Sequence, residues 1–338
     1  MNRRSSSIII AAAAALLVLF FLCLFTGSVH IPAADILSVI TGGDATRPAH
    51  QFIILETRLP AALAAVLCGM ALSVAGLLMQ TTFDNPLAGP SILGISTGAS
   101  LGVAIVMLLC GSLIGVWGKI AVLGGAIVGA AAILALLLAM SAMVRSAVML
   151  LIVGILLGYL SSSAISLLNF FATREGVHAY VIWGLGSFSS VTLDSLPYFA
   201  ITAVIFTLLS LLYAKPLNAL LLGEQYAASV GVNLRRLRFA MLIISGMLTA
   251  AATAWCGPIG FIGLVVPHIA RLALQSSNHR LLLPATALFG ALVGALCQFL
   301  STIPGSAGII PINAITPIIG VPVILYIIIK RRSIAYFN

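Results

Sequence analysis

The residues of this chain that could do chemistry are few and far apart. Five histidines (His30, His50, His178, His268, His279) are scattered along 338 residues, without the His-Glu-x-x-His spacing that sets a metal and its base on one helix face. The five cysteines (Cys23, Cys68, Cys110, Cys256, Cys297) lie in or beside apolar runs with no Cys-x-x-Cys or Cys/His spacing, so each reads as a small buried hydrophobe. There is no Gly-x-x-x-x-Gly-Lys-Ser/Thr loop, so nucleotide hydrolysis is not expected of the chain itself. Asp84, His268 and Arg271 fall at the ends of apolar runs. An acid at mid-membrane is the usual mark of an ion-driven transporter, and its absence counts against that class. His268, after Pro267, reads as a structural hydrogen-bonding residue. No catalytic, cofactor or metal-binding residue is expected.

One internal segment concentrates charge, Leu217 to Arg238, LNALLLGEQYAASVGVNLRRLR. Its pattern predicts two short helices with a break. Glu224 to Val230 is helix-forming, Gly231 suits a left-handed C′ position, and Asn233 suits the N-cap of the next turn. Ala227, Ala228 and Ser229 would let another protein approach the first helix closely, and the second carries Arg235, Arg236 and Arg238. The segment is either an ordinary positive loop or a docking element for a soluble partner.

The surrounding elements must hold that segment at a membrane surface. With 62% hydrophobic and 7% charged residues the chain is far from a soluble composition, in which roughly 25% of residues are charged. Its length accommodates about ten spans of some 20 residues. Apolar runs place them at about Ile8–Phe25, Pro60–Met79, a third ending near Leu109, Ile120–Met143, Val148–Phe170, Leu196–Tyr213, Phe239–Ala254, a short one ending near Leu274, Pro284–Leu300, and a last one ending at Lys330. Residues 27–57 read as lying outside the bilayer, with a short helix near Pro32, and the polar stretch 172–195 offers Tyr180 and Trp183 as interface anchors. Two Gly/Pro-rich stretches, at 81–100 and 256–271, interrupt helix geometry. Broken backbone at membrane depth must be buried in protein or line a cavity.

An even number of spans puts both termini on one side. Arg3, Arg4, Arg145, Lys215, Arg235, Arg236, Arg238, Arg271, Arg280, Lys330, Arg331 and Arg332 then face inward, and only Arg47, Arg58, Lys119 and Arg174 face outward, twelve cations against four. That bias predicts cytoplasmic termini and a cytoplasmic 215–238 segment, and it accounts for the net charge of +9 without nucleic acid. The whole chain, 1–338, reads as a single all-α polytopic membrane domain embedded in lipid.

The stretch RLPAALAAVLCGMALSVAGLLMQTTFDNPLAGPSILGISTGAS, from Arg58 to Ser100, closely resembles the signature of the FecCD family, permease subunits of ABC importers for iron-siderophores, haem and cobalamin. GPIGFIGLVVPHIARL (Gly257–Leu272), NHRLLLP (Asn278–Pro284), the 215–238 segment and WGLGSFS (Trp183–Ser189) resemble the family too, and the likeness covers essentially the whole chain. The resemblance implies a homodimer of ten-span subunits with a type II importer fold and a path along its twofold axis. Two ATPase subunits would bind on the cytoplasmic side of the inner membrane, and a periplasmic or lipid-anchored substrate-binding protein on the other. It assigns ATPase coupling to Glu224, Ala228, Gly231 and Arg235, and docking of the binding protein to Arg58, which an interfacial anchoring role would also explain. Asn85, Pro86, Gly94 and Pro267 match the helix breaks, where they either line the path or only kink it. The cargo expected is an iron complex, siderophore or haem, with cobalamin as the alternative.

The C-terminal part departs from the family pattern. Where relatives often read Ala-Asp…Ala-Arg and then Glu-Leu/Ile-Pro-x-Gly, this chain has Cys297-Gln298, Ser301-Thr302 and Ile309-Ile310-Pro311-Ile312-Asn313. The second docking arginine is among the residues replaced. The expected consequence is either a differently charged binding protein or compensation from Arg47 or Arg174.

Overall fold

A computed structural model describes residues 3–109, 116–144, 146–305 and 308–330. Cys110, Arg145, Arg331 and Arg332, which figure in the sequence reading, lie outside the described residues. In chain order the helices are α1 (Arg3–Phe25), α2 (Ala33–Ile40), α3 (Pro48–Phe52), α4 (Leu59–Thr82), α5 (Ile95–Ala104), α6 (Val116–Met143), α7 (Ala147–Phe171), α8 (Arg174–Gly184), α9 (Leu196–Leu212), α10 (Ala214–Leu220), α11 (Glu224–Ser229), α12 (Leu234–Cys256), α13 (Ile262–Leu274), α14 (His279–Thr302) and α15 (Ile312–Lys330).

Among the described residues, six helical stretches are long and apolar enough to cross a bilayer, a seventh arises from α9 and α10 joined at a 57° bend, and Ile95–Leu109, Ile262–Leu274 and Ile312–Tyr326 are shorter apolar helices. Together they match the ten spans expected. The short ones are those flanked by the Gly/Pro-rich stretches, because each break takes residues that would otherwise complete a span.

α4 is the central helix. It packs on α14, α12, α13, α9 and α1, and is buried along most of its length. Its small residues make this contact: a methyl placed on Gly69 would overlap the carbonyl of Gly290, and one on Gly294 the carbonyl of Ala65. In hydrocarbon, where lipid tails are as apolar as Leu, such close backbone approach and its dispersion contacts supply much of the association. α7, by contrast, carries a largely exposed apolar surface that includes Leu156, Leu160, Leu167 and Phe171, as expected of a helix facing lipid or a neighbouring chain.

The helix boundaries differ from the expected ones in several places. Residues 48–57 are helical: α3 runs through a π-helical turn (Ile53–Arg58) into α4, giving one helix of 35 residues from Pro48 to Thr82. The polar stretch after α7 contains a helix, α8, which Thr173 caps by accepting from Gly176 N. Tyr180 and Trp183 stack with ring centroids 6.1 Å apart and pack against the core. The second short helix of the charged segment does not exist separately: Asn233 caps α12 itself, so Arg235, Arg236 and Arg238 occupy the first turns of a span that begins at Leu234 rather than Phe239. α14 begins at His279 under an Asn278 cap, which leaves Pro284 inside the helix rather than at its start.

Candidate functional site at the basic end of the bundle

The charged segment lies at one end of the bundle, with the helix termini that carry most of the cations. Arg4 donates to Gln275 Oε1 at 3.0 Å, which sets the N-terminus of α1 beside the C-terminus of α13. Arg235 Nη2 donates to the Ala142 carbonyl at 3.2 Å, capping the C-terminal turn of α6. The termini of α1, α6, α12 and α13 and the turns at α10 and α14 therefore share one end.

Within the segment, α11 is a single exposed helix turn held at both ends. Val232 N–H donates to Ala227 O at 2.9 Å and Gly231 N–H to Ala228 O at 3.0 Å, with Gly231 at φ +87°. This pair of bonds is the Schellman arrangement, and it requires the left-handed residue at C′ that glycine adopts without penalty. A Cβ on Gly231 would meet no atom within 4 Å, so only backbone conformation selects glycine there. At the other end Glu224 forms an ion pair with Arg238, joining α11 to the first turns of α12. Ala227 is buried, whereas Ala228, Ser229, Leu222, Tyr226 and Val230 are exposed, presenting an apolar and small-residue surface beside the arginines.

The two broken stretches meet each other. α4 ends at Thr82 and the chain then turns through Asp84 (φ +44°), with Asn85 Oδ1 accepting from Leu87 N–H at 2.9 Å, before Gly94 (φ +75°) starts α5. A Cβ on Gly94 would lie 2.9 Å from Gly154 O, so glycine there also lets α7 approach. α13 lies against this turn. His268 Nε2 donates to the Pro86 carbonyl at 2.8 Å, Gln80 Nε2 donates to Leu264 O at 3.0 Å, and Arg271 Nη1 donates to Gln80 Oε1 at 2.6 Å. Gln80, His268 and Arg271 are all buried. Pro267, inside α13, has no N–H to offer the Gly263 carbonyl, and that carbonyl sits against the bare Cα of Gly76 on α4. Asn85, Pro86 and Gly94 thus form one knot of broken backbone against α13, whose helix runs on through Pro267 from Ile262 to Leu274, so Pro267 is not the helix break expected of it. Glu224, Ala228, Gly231 and Arg235 belong to a separate, exposed group.

Arg58 belongs to neither. It is 7% exposed, at the opposite end of the bundle, and its Nη1 donates to Leu24 O at 2.7 Å while Nη2 donates to Val29 O. The guanidinium thus caps a last-turn carbonyl of α1, that of Leu24, and holds the Val29 carbonyl in the turn that follows, and burial disfavours leaving any of its charge unpaired. Gly27 passes so close that a Cβ would lie 3.0 Å from Arg58 Nε. Arg47 and Arg174 are exposed. The altered C-terminal segment is also at this end. Asn313 Nδ2 donates to Gly184 O at 3.0 Å and to Pro258 O at 2.6 Å, and its Oδ1 accepts from Gly260 N–H at 3.2 Å, tying α8, the 257–261 break and α15 together.

Asp35 lies nearby, accepting hydrogen bonds from Thr46 and paired with His50, and these partners hold its carboxyl down at about 2. Among the described residues there is no His/Cys/Asp/Glu group able to hold a metal ion. Sequence reasoning missed Asn218, His279, Thr81, Gln80 and Arg271 as a connected set. Only Asn278-His279, with its N-cap pattern, carried a local signal.

Against known proteins, the model of the FecCD transport family matches residues 15–330. The chain is 33% identical over 311 residues to the hemin transport system permease protein HmuU of Yersinia pestis, covering 92% of this chain and 93% of that protein. It is 34% identical over 321 residues to the vitamin B12 import system permease protein BtuC of Escherichia coli, covering 93% and 95%. A solved inward-facing metal-chelate type ABC transporter superposes with a TM-score of 0.84 at 28% identity, over 96% of this chain and 99% of that one. By the family model and by its relatives, this chain belongs to the FecCD transport family.

Proposed function

We propose that this chain is the membrane-spanning permease subunit of an ABC importer that carries an iron complex, siderophore or haem, from periplasm to cytoplasm. The observation that carries the reading is the exposed, Schellman-capped α11 at the cation-rich end, beside a bundle whose two broken stretches meet. A turn of helix fixed at both ends, with small and apolar residues outward and arginines behind, is suited to seat in a groove of a soluble engine. Glu224, Ala228, Gly231 and Arg235 form or brace that contact.

In this reading two copies pair, two ATPase subunits bind at α11, and a substrate-binding protein delivers cargo at the far end. Both termini then lie in the cytoplasm, where the excess of Lys and Arg belongs. Hydrolysis resides on the ATPase. The knot around Asn85, Pro86 and Gly94 bounds the path. Direct docking through Arg58 requires that its hydrogen bonds to the Leu24 and Val29 carbonyls be released, so the exposed Arg47 and Arg174 are the readier outer contacts.

The iron-complex reading is favoured by the hemin permease and the metal-chelate transporter among the similar proteins. A cobalamin cargo is the second reading, favoured by the vitamin B12 permease at equal similarity. Uptake into proteoliposomes holding the permease, its ATPase and its binding protein separates them, with haemin, a ferric hydroxamate and cyanocobalamin as competing cargoes. ATP-dependent uptake of haemin or the hydroxamate is expected; uptake of cyanocobalamin alone would replace the first reading by the second. Arg58→Glu with undiminished affinity for the binding protein would remove docking from Arg58.

A further inference from the structure

We propose that Asn218, His279 and Thr81 form a positioning relay that passes movement of the coupling segment to the 83–94 break; the inference rests on the importer reading above. Asn218 lies on α10, within the segment that leads to α11. Its Oδ1 accepts the backbone N–H of His279 at 2.7 Å and His279 Nδ1–H at 2.9 Å, and its Nδ2 donates to Asn278 Oδ1 at 2.9 Å. On the far side of the ring, His279 Nε2 meets Thr81 Oγ1 at 2.8 Å. The polarity of this chain is determined. An amide oxygen only accepts, so Nδ1 carries the proton; in the neutral ring Nε2 is then the acceptor, and the Thr81 hydroxyl donates to it.

Two features make this set a transmitter. His279 is fully buried and Thr81 is 3% exposed, so water cannot replace a partner if one end moves alone. And Asn218 grips His279 by both ring and backbone, so a shift of α10 displaces the ring rather than letting it swing. Thr81 is the residue beside Gln80, whose carbonyl accepts Asn85 N–H at 3.1 Å and whose side chain is bound to Arg271 and to Leu264 O. Movement of Thr81 is therefore movement of the first turn of the break. The other connection, Glu224 with Arg238, leads into α12 and acts on the body of the bundle.

The test uses the chain purified with its ATPase, with Cys110 replaced by Ser. In separate preparations Leu87→Cys and Lys215→Cys carry nitroxide labels, and pulsed spectroscopy measures the distance between the two copies without nucleotide and with ATP plus vanadate. Both sites are exposed, and Cys23, Cys68, Cys256 and Cys297 are buried. In the otherwise unmodified chain both label pairs shift on trapping. In Thr81→Val, which keeps shape and loses only the hydroxyl, and in His279→Leu, the shift at 215 persists while that at 87 falls by about half or more. Thr81→Ser restores it. A full shift at 87 in Thr81→Val overturns the relay, and that variant keeps the test decisive if His279→Leu does not fold. Absence of any nucleotide-dependent shift in the unmodified chain would instead overturn the importer reading on which the relay stands.

Discussion

At the scale of single residues, the side chains that matter are those whose conformation or hydrogen bonding no substitute reproduces. Gly231 is one: its φ of +87° costs a β-branched residue about 1–2 kcal/mol, with no clash to relieve or add. Gly231→Val is therefore expected to leave assembly with the ATPase intact but lower uptake per ATP hydrolysed several-fold, since α11 loses its fixed end. Measured uptake and hydrolysis in the same vesicles check this, and an unchanged ratio would remove the cap from coupling. Arg58 is another. Its charged hydrogen bonds to Leu24 O at the end of α1 and to Val29 O in the turn beyond are of a kind worth about 1.5–3 kcal/mol each, so Arg58→Leu should lower the melting temperature in detergent by several degrees, whatever its effect on docking. Asp35 supplies a pH signature at the outer end. Its carboxyl is held at about 2 by Thr46 and His50, below the unfolded value of about 3.9, so its contribution is complete above pH ~4 and is lost as pH falls through 2. Proteolysis of the α2–α3 connection should accelerate over that window, and Asp35→Asn should abolish the pH dependence.

At the scale of elements, the fold rests on glycine-mediated contact between α4 and its neighbours. Gly290→Leu would force α14 off α4 against Gly69 and Ser73, and overpacking of this kind costs typically about 1–3 kcal/mol or more. The expected outcome is sharply reduced yield of folded protein, whereas the same change at Gly124, which faces open space, should be tolerated. Size-exclusion profiles of the two variants decide it. What could be read from the sequence at this scale follows the same physics. Gly231 and Asn233 mark the ends of α11 and the start of α12 because each satisfies backbone groups locally. The arginines after Asn233 concealed that α12 begins there, since hydropathy falls where a helix leaves the hydrocarbon although its hydrogen bonds continue. Likewise the polarity of 48–57 hid a helix that simply extends past the apolar run.

At the scale of the whole molecule, the number of spans, the basic end and the two broken stretches were legible, because a bilayer demands apolar runs of fixed length and punctuates them with charge and with Gly or Pro. The meeting of those stretches was not legible. It depends on Gln80 reaching Leu264, His268 reaching Pro86 and Arg271 reaching Gln80 across the bundle, and nothing in local pattern pairs them. Nor was the burial of Arg58, whose partners Leu24, at the end of α1, and Val29, in the turn beyond it, come from about 30 residues upstream. The central claim is that this path has a separate engine seated on α11. The measurement that bears on it most directly is intact-mass analysis of the chain purified from its native membrane in mild detergent. Two copies of this chain with two ATPase subunits are predicted, with the ATPases lost when Gly223–Gly231 is replaced by a flexible linker. A complex that contains no ATPase would contradict it.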